Sequence, residues 1–169
     1  KDKVLHVYFN ESAYESYMNC GVDWNSPGMR PIEITVLKPF FRYETDDMYF
    51  TPFIAIHDEN QTCYNFYVEV KGGKRILYAL DTLRYPEESL EFLKGVKADI
   101  CIADGTSLFY VAASHMDYNK NISFRNFLME NGIMTENGRY IVSHFSHYGN
   151  HGGPVGDLMM LHENLEEIY

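Results

Sequence analysis

Cysteine is scarce in this sequence, and the few cysteines have no motif spacing. Cys20, Cys63 and Cys101 are the only three in 169 residues, and no two of them form a Cys-x-x-Cys pair. An odd, widely spaced set argues against a disulfide framework and against a cysteine-type zinc site. It is typical of proteins from reducing compartments, and we therefore expect a cytoplasmic protein.

Long apolar runs and basic runs are missing as well. No stretch approaches the roughly 18 consecutive apolar residues of a membrane helix, and no signal-peptide pattern follows Lys1. We therefore expect no membrane partner. The sequence has 14 Lys and Arg against 24 Asp and Glu, a net charge of −10, which argues against a dedicated nucleic-acid-binding surface. A nucleotide or phosphodiester substrate stays compatible, because bound metal ions supply positive charge locally.

Aromatic and apolar residues, by contrast, are abundant. Hydrophobic residues make up 46% of the chain, with 14 Tyr and 11 Phe. This composition favours packed strands over disorder, and a chain of this length can enclose one hydrophobic core. Because the sequence has no repeat, no low-complexity tract and no linker, we predict a single domain over residues 1–169.

Hydrophobic spacing and turn residues divide the chain into strands and helices. The glycines of Lys71-Gly-Gly-Lys74 predict a hairpin turn, and Pro86 predicts the first turn of a helix. Paired strands come first and strand–helix alternation follows, which predicts an α/β fold with a mixed sheet and helices on at least one face. The predicted elements are strands Val4–Phe9, Ile32–Leu37, Tyr49–Ile56, Cys63–Val70, Arg75–Leu80, Ala98–Ala103 and Tyr140–Ser143, a helix capped by Asn10 and ending at Met18, and helices Pro86–Leu93, Ser123–Asn131 and Pro154–Leu165.

Three of the predicted strands are followed directly by a histidine or an aspartate, namely His57, Asp81 and His144. Strand ends are rigid, so ligands placed there can hold a metal ion in fixed geometry. Imidazole nitrogens with one carboxylate suit Zn, Mn or Fe. Each of the three, taken alone, is more often a hydrogen-bonded or turn residue. Their conjunction makes the floor of a metal site an equally good interpretation.

Further motifs accompany these residues in a fixed order. After His57 comes the hairpin that ends in Ala79-Leu-Asp-Thr82, and then Ala98-Asp-Ile-Cys-Ile, Ser114-His-Met-Asp117 and Ser143-His-Phe-Ser146. This order resembles the later part of metallo-β-lactamase-fold hydrolases, and most of all their phosphodiesterase branch, with its PhnP-like, RNase Z-like and YycJ-like enzymes. The resemblance covers essentially the whole chain.

The resemblance implies a fold, a cofactor and a set of site residues. It implies a four-layer αββα sandwich, of which this chain carries roughly the C-terminal two-thirds. It implies two divalent metal ions, first of all zinc, with manganese or iron as alternatives, bound by His57, Asp81 and His144 with Asp81 as the bridge. His115 matches the catalytic histidine that acts on the leaving group or on a phosphate oxygen. The implied substrate is a phosphodiester, and because the net charge of −10 disfavours a large structured RNA, we expect a small phosphodiester or nucleotide.

One motif of the resembled family is missing. Its hallmark, His-x-His-x-Asp-His, occurs nowhere in this sequence. We therefore expect a fragment of a longer hydrolase, inactive alone and completed by a missing N-terminal half or a partner chain; a homo-oligomer is also compatible. Two alternatives stay open. One is another hydrolase on this fold, such as a lactonase, thioesterase or β-lactamase, and the other is a metal-free binding or scaffold relative.

Three weaker candidates lie near the predicted ligands. Asp104 either orients a histidine through its ring N–H or simply caps the turn at Gly105, and the turn is the preferred interpretation. His147 is expected at most to contact a metal-binding residue without binding the metal itself, and His151 is expected to lie on the surface.

Overall fold

Eight strands and three helices make up the described part of the chain, in a computed structural model that describes residues 4–21, 31–107 and 113–145. None of the helices in these ranges is both long and apolar enough to cross a membrane. The strands are β1 (Leu5–Phe9), β2 (Ile32–Val36), β3 (Tyr43–Glu44), β4 (Met48–Ala55), β5 (Cys63–Val70), β6 (Arg75–Ala79), β7 (Ala98–Asp104) and β8 (Met134–Ser143), and the helices are α1 (Glu11–Asn19), α2 (Glu87–Lys94) and α3 (Tyr118–Glu130).

Most predicted elements are confirmed, with differences at three places. The Asn10 cap of α1 is present, since its side-chain oxygen accepts the N–H of Ala13 at 2.7 Å. Helix α3 begins five residues before the predicted Ser123, because Asp117 caps it by accepting the N–H of Lys120. Strand β8 begins at Met134 rather than Tyr140, through an irregular stretch, and the short β3 was not predicted. The predicted helix Pro154–Leu165 lies outside the described residues.

Six strands form one mixed sheet in the order β3-β4-β5-β6-β7-β8. Pairing is antiparallel from β3 to β6 and parallel from β6 to β8. Strands β4, β6, β7 and β8 therefore run in the same direction, and their carboxyl ends meet at one edge. We call this the carboxyl edge. The loops that follow four different strands are brought together there.

A second, two-stranded sheet packs against the large one. Strands β1 and β2 pair in parallel, and Tyr8 of β1 contacts Phe50 of β4 edge to face, with ring centroids 5.2 Å apart. Asn10 also donates a side-chain hydrogen bond to the Thr62 carbonyl in the loop before β5. The described residues thus contain parts of two facing sheets, as the sandwich prediction requires.

The hydrophobic core lies between the large sheet and helices α2 and α3. Phe53, Leu77, Leu93 and Leu128 are fully buried there, and burying one such side chain contributes about 1.5–3 kcal/mol. Cys101 on β7 is also buried in this core, and burial raises the pKa of its thiol, which therefore stays an apolar S–H group. The packed helices make the sheet a rigid platform for its carboxyl edge.

Candidate metal centre

Four polar side chains leave the carboxyl edge from four strands. His57 lies two residues after β4, Asp81 two residues after β6, Asp104 is the last residue of β7, and His144 directly follows β8. Parallel strands deliver the residues at their carboxyl ends to one place, which is where open α/β sheets bind ligands. His115, in the segment before α3, completes the group. We call these five residues the edge cluster.

Asp81 lies between two histidines of the edge cluster. Its Oδ1 is 3.9 Å from His57 Nε2 and 3.6 Å from His144 Nδ1. Both separations are too long for hydrogen bonds. Two donors on a tetrahedral ion, each about 2.1 Å from it, lie about 3.4 Å apart. The two distances are slightly wider than this value, so the carboxylate is placed to share an ion with either imidazole.

A backbone carbonyl fixes the tautomer of His57. Its Nδ1 lies 2.8 Å from the Ser114 carbonyl oxygen. Because a carbonyl only accepts, Nδ1 carries the proton, and the lone pair is left on Nε2, the atom that faces Asp81. A metal-binding histidine is oriented in the same way, by donating its other ring N–H to an oxygen.

Asp104 is fully buried, and its carboxylate accepts hydrogen bonds both from the backbone of nearby turns and from a histidine. Its Oδ1 accepts the N–H of Thr106 at 2.9 Å, and its Oδ2 accepts the N–H of Thr82 at 3.2 Å. The same Oδ2 lies 2.8 Å from His115 Nδ1, which therefore donates to it. The preferred prediction, a turn cap alone, is incomplete, because the carboxylate also orients His115.

His144 closes the other side of the group. Its Nδ1 is 2.8 Å from Thr106 Oγ1 and 3.7 Å from Asp104 Oδ2. Thr106 Oγ1 also donates to the His144 carbonyl at 2.6 Å, which holds the loops after β7 and β8 together. One ligand atom each from Asp81, Asp104, His115 and His144 lies within 4.8 Å of the others. The edge cluster as a whole, with His57 included, offers three imidazoles and two carboxylates, and these are donors that suit zinc, manganese or iron.

The backbone is strained at two members of the edge cluster. Asp81 has φ 50° and His144 has φ 64°, in the left-handed region that few non-glycine residues adopt. Such conformations cost about 1–3 kcal/mol each and are found mainly at functional sites. The turn after β7 also needs its glycine, since a Cβ on Gly105 would overlap the Val142 side chain and lie 2.9 Å from Phe145 Cε1.

The structure brings together every residue that the sequence assigned to the site. Asp81, His115 and His144 belong to the group whose ligand atoms lie within 4.8 Å of one another, and His57 lies beside that group, with its ring centroid 4.7 Å from that of His115. His147 and His151 lie outside the described residues. Sequence reasoning missed Thr106 and the Ser114 carbonyl. Thr106 lies two residues after a strand-end aspartate, a weak signal, and nothing in the sequence marks a backbone carbonyl as a histidine partner.

Neither a protein-family model nor a curated protein matches the sequence, but solved structures match its fold. The metallo-β-lactamase fold protein YhfI from Bacillus subtilis is 19% identical, with a TM-score of 0.60 over 88% of this chain and 55% of that chain. Zn²⁺-bound PqqB from Methylobacterium extorquens is 16% identical, with a TM-score of 0.55 over 86% and 55%. The short form of human tRNase Z is 12% identical, with a TM-score of 0.54 over 83% and 61%.

These likenesses establish the metallo-β-lactamase fold, and the chain spans only 55–61% of the length of these three structures. The prediction of an α/β fold of this type is confirmed. A possible metal site, the edge cluster, lies at the carboxyl edge of that fold.

Proposed function

We propose that the intact protein is a metal-dependent hydrolase that uses two divalent ions, and that it is a phosphodiesterase. The observation that carries the proposal is the position of the Asp81 carboxylate, 3.9 Å from one histidine nitrogen and 3.6 Å from another. Both distances are measured from Oδ1, and a carboxylate that lies between two imidazoles in this way can bridge two ions, one on the side of each histidine. Zinc is the first expectation, and manganese and iron are the alternatives.

The proposed ligands are His57, Asp81 and His144. His57 offers Nε2, because its Nδ1 proton is held by the Ser114 carbonyl. The His144 ring lies on the other side of Asp81 and offers Nε2, because its Nδ1–H is directed at Thr106 Oγ1, whose own proton goes to the His144 carbonyl. Since tetrahedral zinc takes about four ligands, two ions need more donors than these three residues provide. We propose that a further part of a longer protein, or a partner chain, supplies the rest, and that this chain alone is inactive.

His115 is proposed as the catalytic acid and base. Because its Nδ1–H donates to Asp104, its Nε2 is free to hold a proton and to give it up. The buried carboxylate stabilises the imidazolium form while Nε2 carries that proton, as a third group does in other histidine-based sites. Nε2 then protonates the leaving oxygen of the substrate. When bound, the two ions supply a hydroxide near neutral pH.

The histidine–aspartate pair favours a phosphodiester over other substrates of this fold. An alkoxide leaving group of a phosphodiester needs a proton, and His115 can give it one. Two-ion sites also suit the in-line displacement of phosphoryl groups, and one fold neighbour is named a tRNase. The net charge of −10 disfavours a large structured RNA, so we propose a small phosphodiester or nucleotide.

The test uses two substrates that differ in their need for a proton. The full-length protein is loaded with zinc and assayed on two esters. A dinucleotide has an alkoxide leaving group, which needs a proton, whereas bis(p-nitrophenyl) phosphate has a p-nitrophenolate leaving group, which departs readily without one. We expect His115→Ala to lower kcat on the dinucleotide by about 100-fold or more and to change kcat on the nitrophenyl ester far less. His6→Ala, an exposed histidine paired with Glu33 between the two short strands, is the matched control.

Each result has a defined meaning. A His115→Ala variant that cleaves the dinucleotide at the wild-type rate contradicts the role of His115 as the catalytic acid. A full-length wild-type protein that binds zinc but cleaves neither ester contradicts the phosphodiesterase assignment and favours a lactonase, thioesterase or β-lactamase. A full-length wild-type protein that neither binds zinc nor cleaves either ester contradicts hydrolysis itself. That result favours a metal-free binding or scaffold protein.

A further inference from the structure

A buried asparagine supports the backbone that leads into Asp81. Asn65 on β5 donates from its Nδ2 to the Leu80 carbonyl at 2.6 Å, and its Oδ1 accepts from the Tyr85 hydroxyl at 2.7 Å. The Leu80 carbonyl belongs to the same peptide plane as the Asp81 N–H. This plane directly precedes the strained φ of 50° at Asp81. Asn65 therefore fixes the orientation from which the Asp81 side chain departs.

A second buried asparagine repeats this arrangement on the next strand. Asn121 on α3 donates from its Nδ2 to the Asp104 carbonyl at 2.8 Å, and its Oδ1 accepts from the Tyr140 hydroxyl at 2.9 Å. The same Nδ2 also donates to the Asp117 carbonyl at 3.1 Å. The Asp104 carbonyl belongs to the peptide plane that leads to Gly105, at the tight turn after β7. Each candidate carboxylate thus has its own tyrosine–asparagine pair.

A backbone carbonyl on one side and a tyrosine hydroxyl on the other hold each of the two amides in one orientation. Because a carbonyl only accepts, each asparagine must turn its NH₂ toward the backbone and its oxygen toward the phenol. Both phenols are buried, and burial raises their pKa well above the ordinary value, so the O–H proton that fixes the amide is retained. A phenylalanine at either tyrosine keeps the ring packing and removes only the hydroxyl group.

The supported carbonyls lie where the strand ladder stops. Pairing between β6 and β7 ends at Ala79 and Ala103, one residue before Leu80 and one before Asp104. Beyond that point, regular pairing between these two strands no longer fixes the direction of the chain. The Asn65–Tyr85 pair therefore acts where the chain before Asp81 has left regular pairing. Asp104 is still paired with Ser143 of β8, whose carbonyl accepts the N–H of Gly105 at 2.7 Å, and Asn121–Tyr140 adds a second contact to that same peptide plane.

We propose that Asn65–Tyr85 and Asn121–Tyr140 are positioning pairs. The first pre-sets the Asp81 carboxylate for a divalent ion, and the second pre-sets the Asp104 carboxylate, which holds His115 and lies 3.7 Å from the proposed ligand His144. The inference rests on the proposed metal centre, and the four residues that it adds are not members of the edge cluster. Buried polar groups are satisfied in any stable protein, so a purely structural role is the rival interpretation. The rival predicts lower stability without any effect on metal affinity.

Three single-atom variants separate these interpretations. Tyr85→Phe and Tyr140→Phe each delete one hydroxyl, and Tyr78→Phe deletes an exposed hydroxyl on β6 as the matched control. Zinc and cobalt affinities of the full-length protein are measured by titration calorimetry and by Co²⁺ absorption. We expect about a 10-fold loss of affinity in each buried variant, the lower end of what partners of metal ligands contribute, and no loss in Tyr78→Phe. In the metal-free protein, the amide signals of Asp81 and Gly105 should shift in Tyr85→Phe and Tyr140→Phe, respectively.

A double-mutant cycle shows whether Tyr85 acts through Asp81. In an Asp81→Asn background, Tyr85→Phe should cause no further loss of zinc affinity, because the residue that it positions is no longer a carboxylate. Unchanged zinc affinity in both phenylalanine variants, with lower thermal stability, overturns the proposal and leaves the metal centre intact. A wild-type protein that binds neither ion overturns the metal centre and the positioning role together, and unshifted amide signals overturn the positioning role alone.

Discussion

The two ends of the parallel strands carry charged side chains in opposite arrangements. At the amino ends of β6 and β7, Arg75 and Asp99 form a two-pronged ion pair, with Nε–Oδ2 and Nη2–Oδ1 distances of 3.1 Å each. At the carboxyl edge, Asp81 and Asp104 face histidines. Among the described residues, no lysine or arginine lies within 4.0 Å of either carboxylate.

This difference indicates which end is structural and which is functional. A carboxylate satisfied by arginine has no remaining demand for a cation, and its geometry serves the fold. Carboxylates that face imidazoles rather than an arginine keep that demand, and two members of the edge cluster, Asp81 and His144, have strained backbones. Strain and uncompensated charge at one end, with neither at the other, are typical of a site that gives up stability for binding.

The difference between the two ends is tested most strongly at Asp81, where one substitution relieves the backbone strain and removes the carboxylate charge. We expect Asp81→Gly to weaken zinc binding by at least about 100-fold, since even partners of metal ligands contribute 10–100-fold. We also expect the metal-free protein to gain about 1 kcal/mol of unfolding free energy, because glycine adopts φ 50° without strain. Calorimetric zinc titration and urea denaturation measure the two effects.

The control for this prediction is Asp58→Gly, which removes a carboxylate next to His57 that contacts Asn60 rather than the edge cluster. Zinc affinity should be unchanged there. If Asp81→Gly destabilises the metal-free protein instead, the left-handed conformation of Asp81 is not a source of strain. If it binds zinc as the wild type does, Asp81 is not a ligand.

A second substitution sharpens the comparison by moving the loops of the carboxyl edge. Gly105→Ala places a Cβ against the side chains of Val142 and Phe145, so we expect a loss of about 1–3 kcal/mol of unfolding free energy. Gly95→Ala, after α2, is the control, because its Cβ meets only the Phe92 carbonyl, at 3.3 Å. Urea denaturation of both variants decides the point, and equal stabilities show that the turn can relax.

The sequence was sufficient to predict those parts of the site that depend on local pattern. His57, Asp81 and His144 follow strands with alternating or continuous apolar residues, and such strands end where the pattern ends. Their meeting at one edge then follows from strand direction. The Asn10 cap was equally visible, since asparagine before a helical pattern satisfies the first free N–H groups.

Other parts depend on contacts that no local pattern contains. Asn121 appears in the sequence as an ordinary polar residue, yet it is fully buried because the Asp104 carbonyl and Tyr140 satisfy it. The start of α3 was placed too late for a different reason, since the Asp117 cap that begins it is a local signal that was not used. The role of Asp104 was underestimated, since its partner His115 lies 11 residues away along a connecting segment.

The smallest effect is expected at the amino ends, where acid removes the ion pair. The Arg75 side chain and then its N–H lower the pKa of Asp99 from 3.8 to about 2. The native pair therefore contributes its full stability above pH 4 and loses it as the pH falls from about 4 to about 2, because the unfolded chain takes up the proton first. The pair is partly exposed, so the contribution is at most about 1 kcal/mol.

Asp99→Asn should lose less stability than the wild type over this range in urea titrations, whereas Glu91→Gln, on the exposed face of α2, should follow the wild-type curve. Identical pH dependence in Asp99→Asn and wild type would show that this carboxylate is as free in the native state as in the unfolded chain.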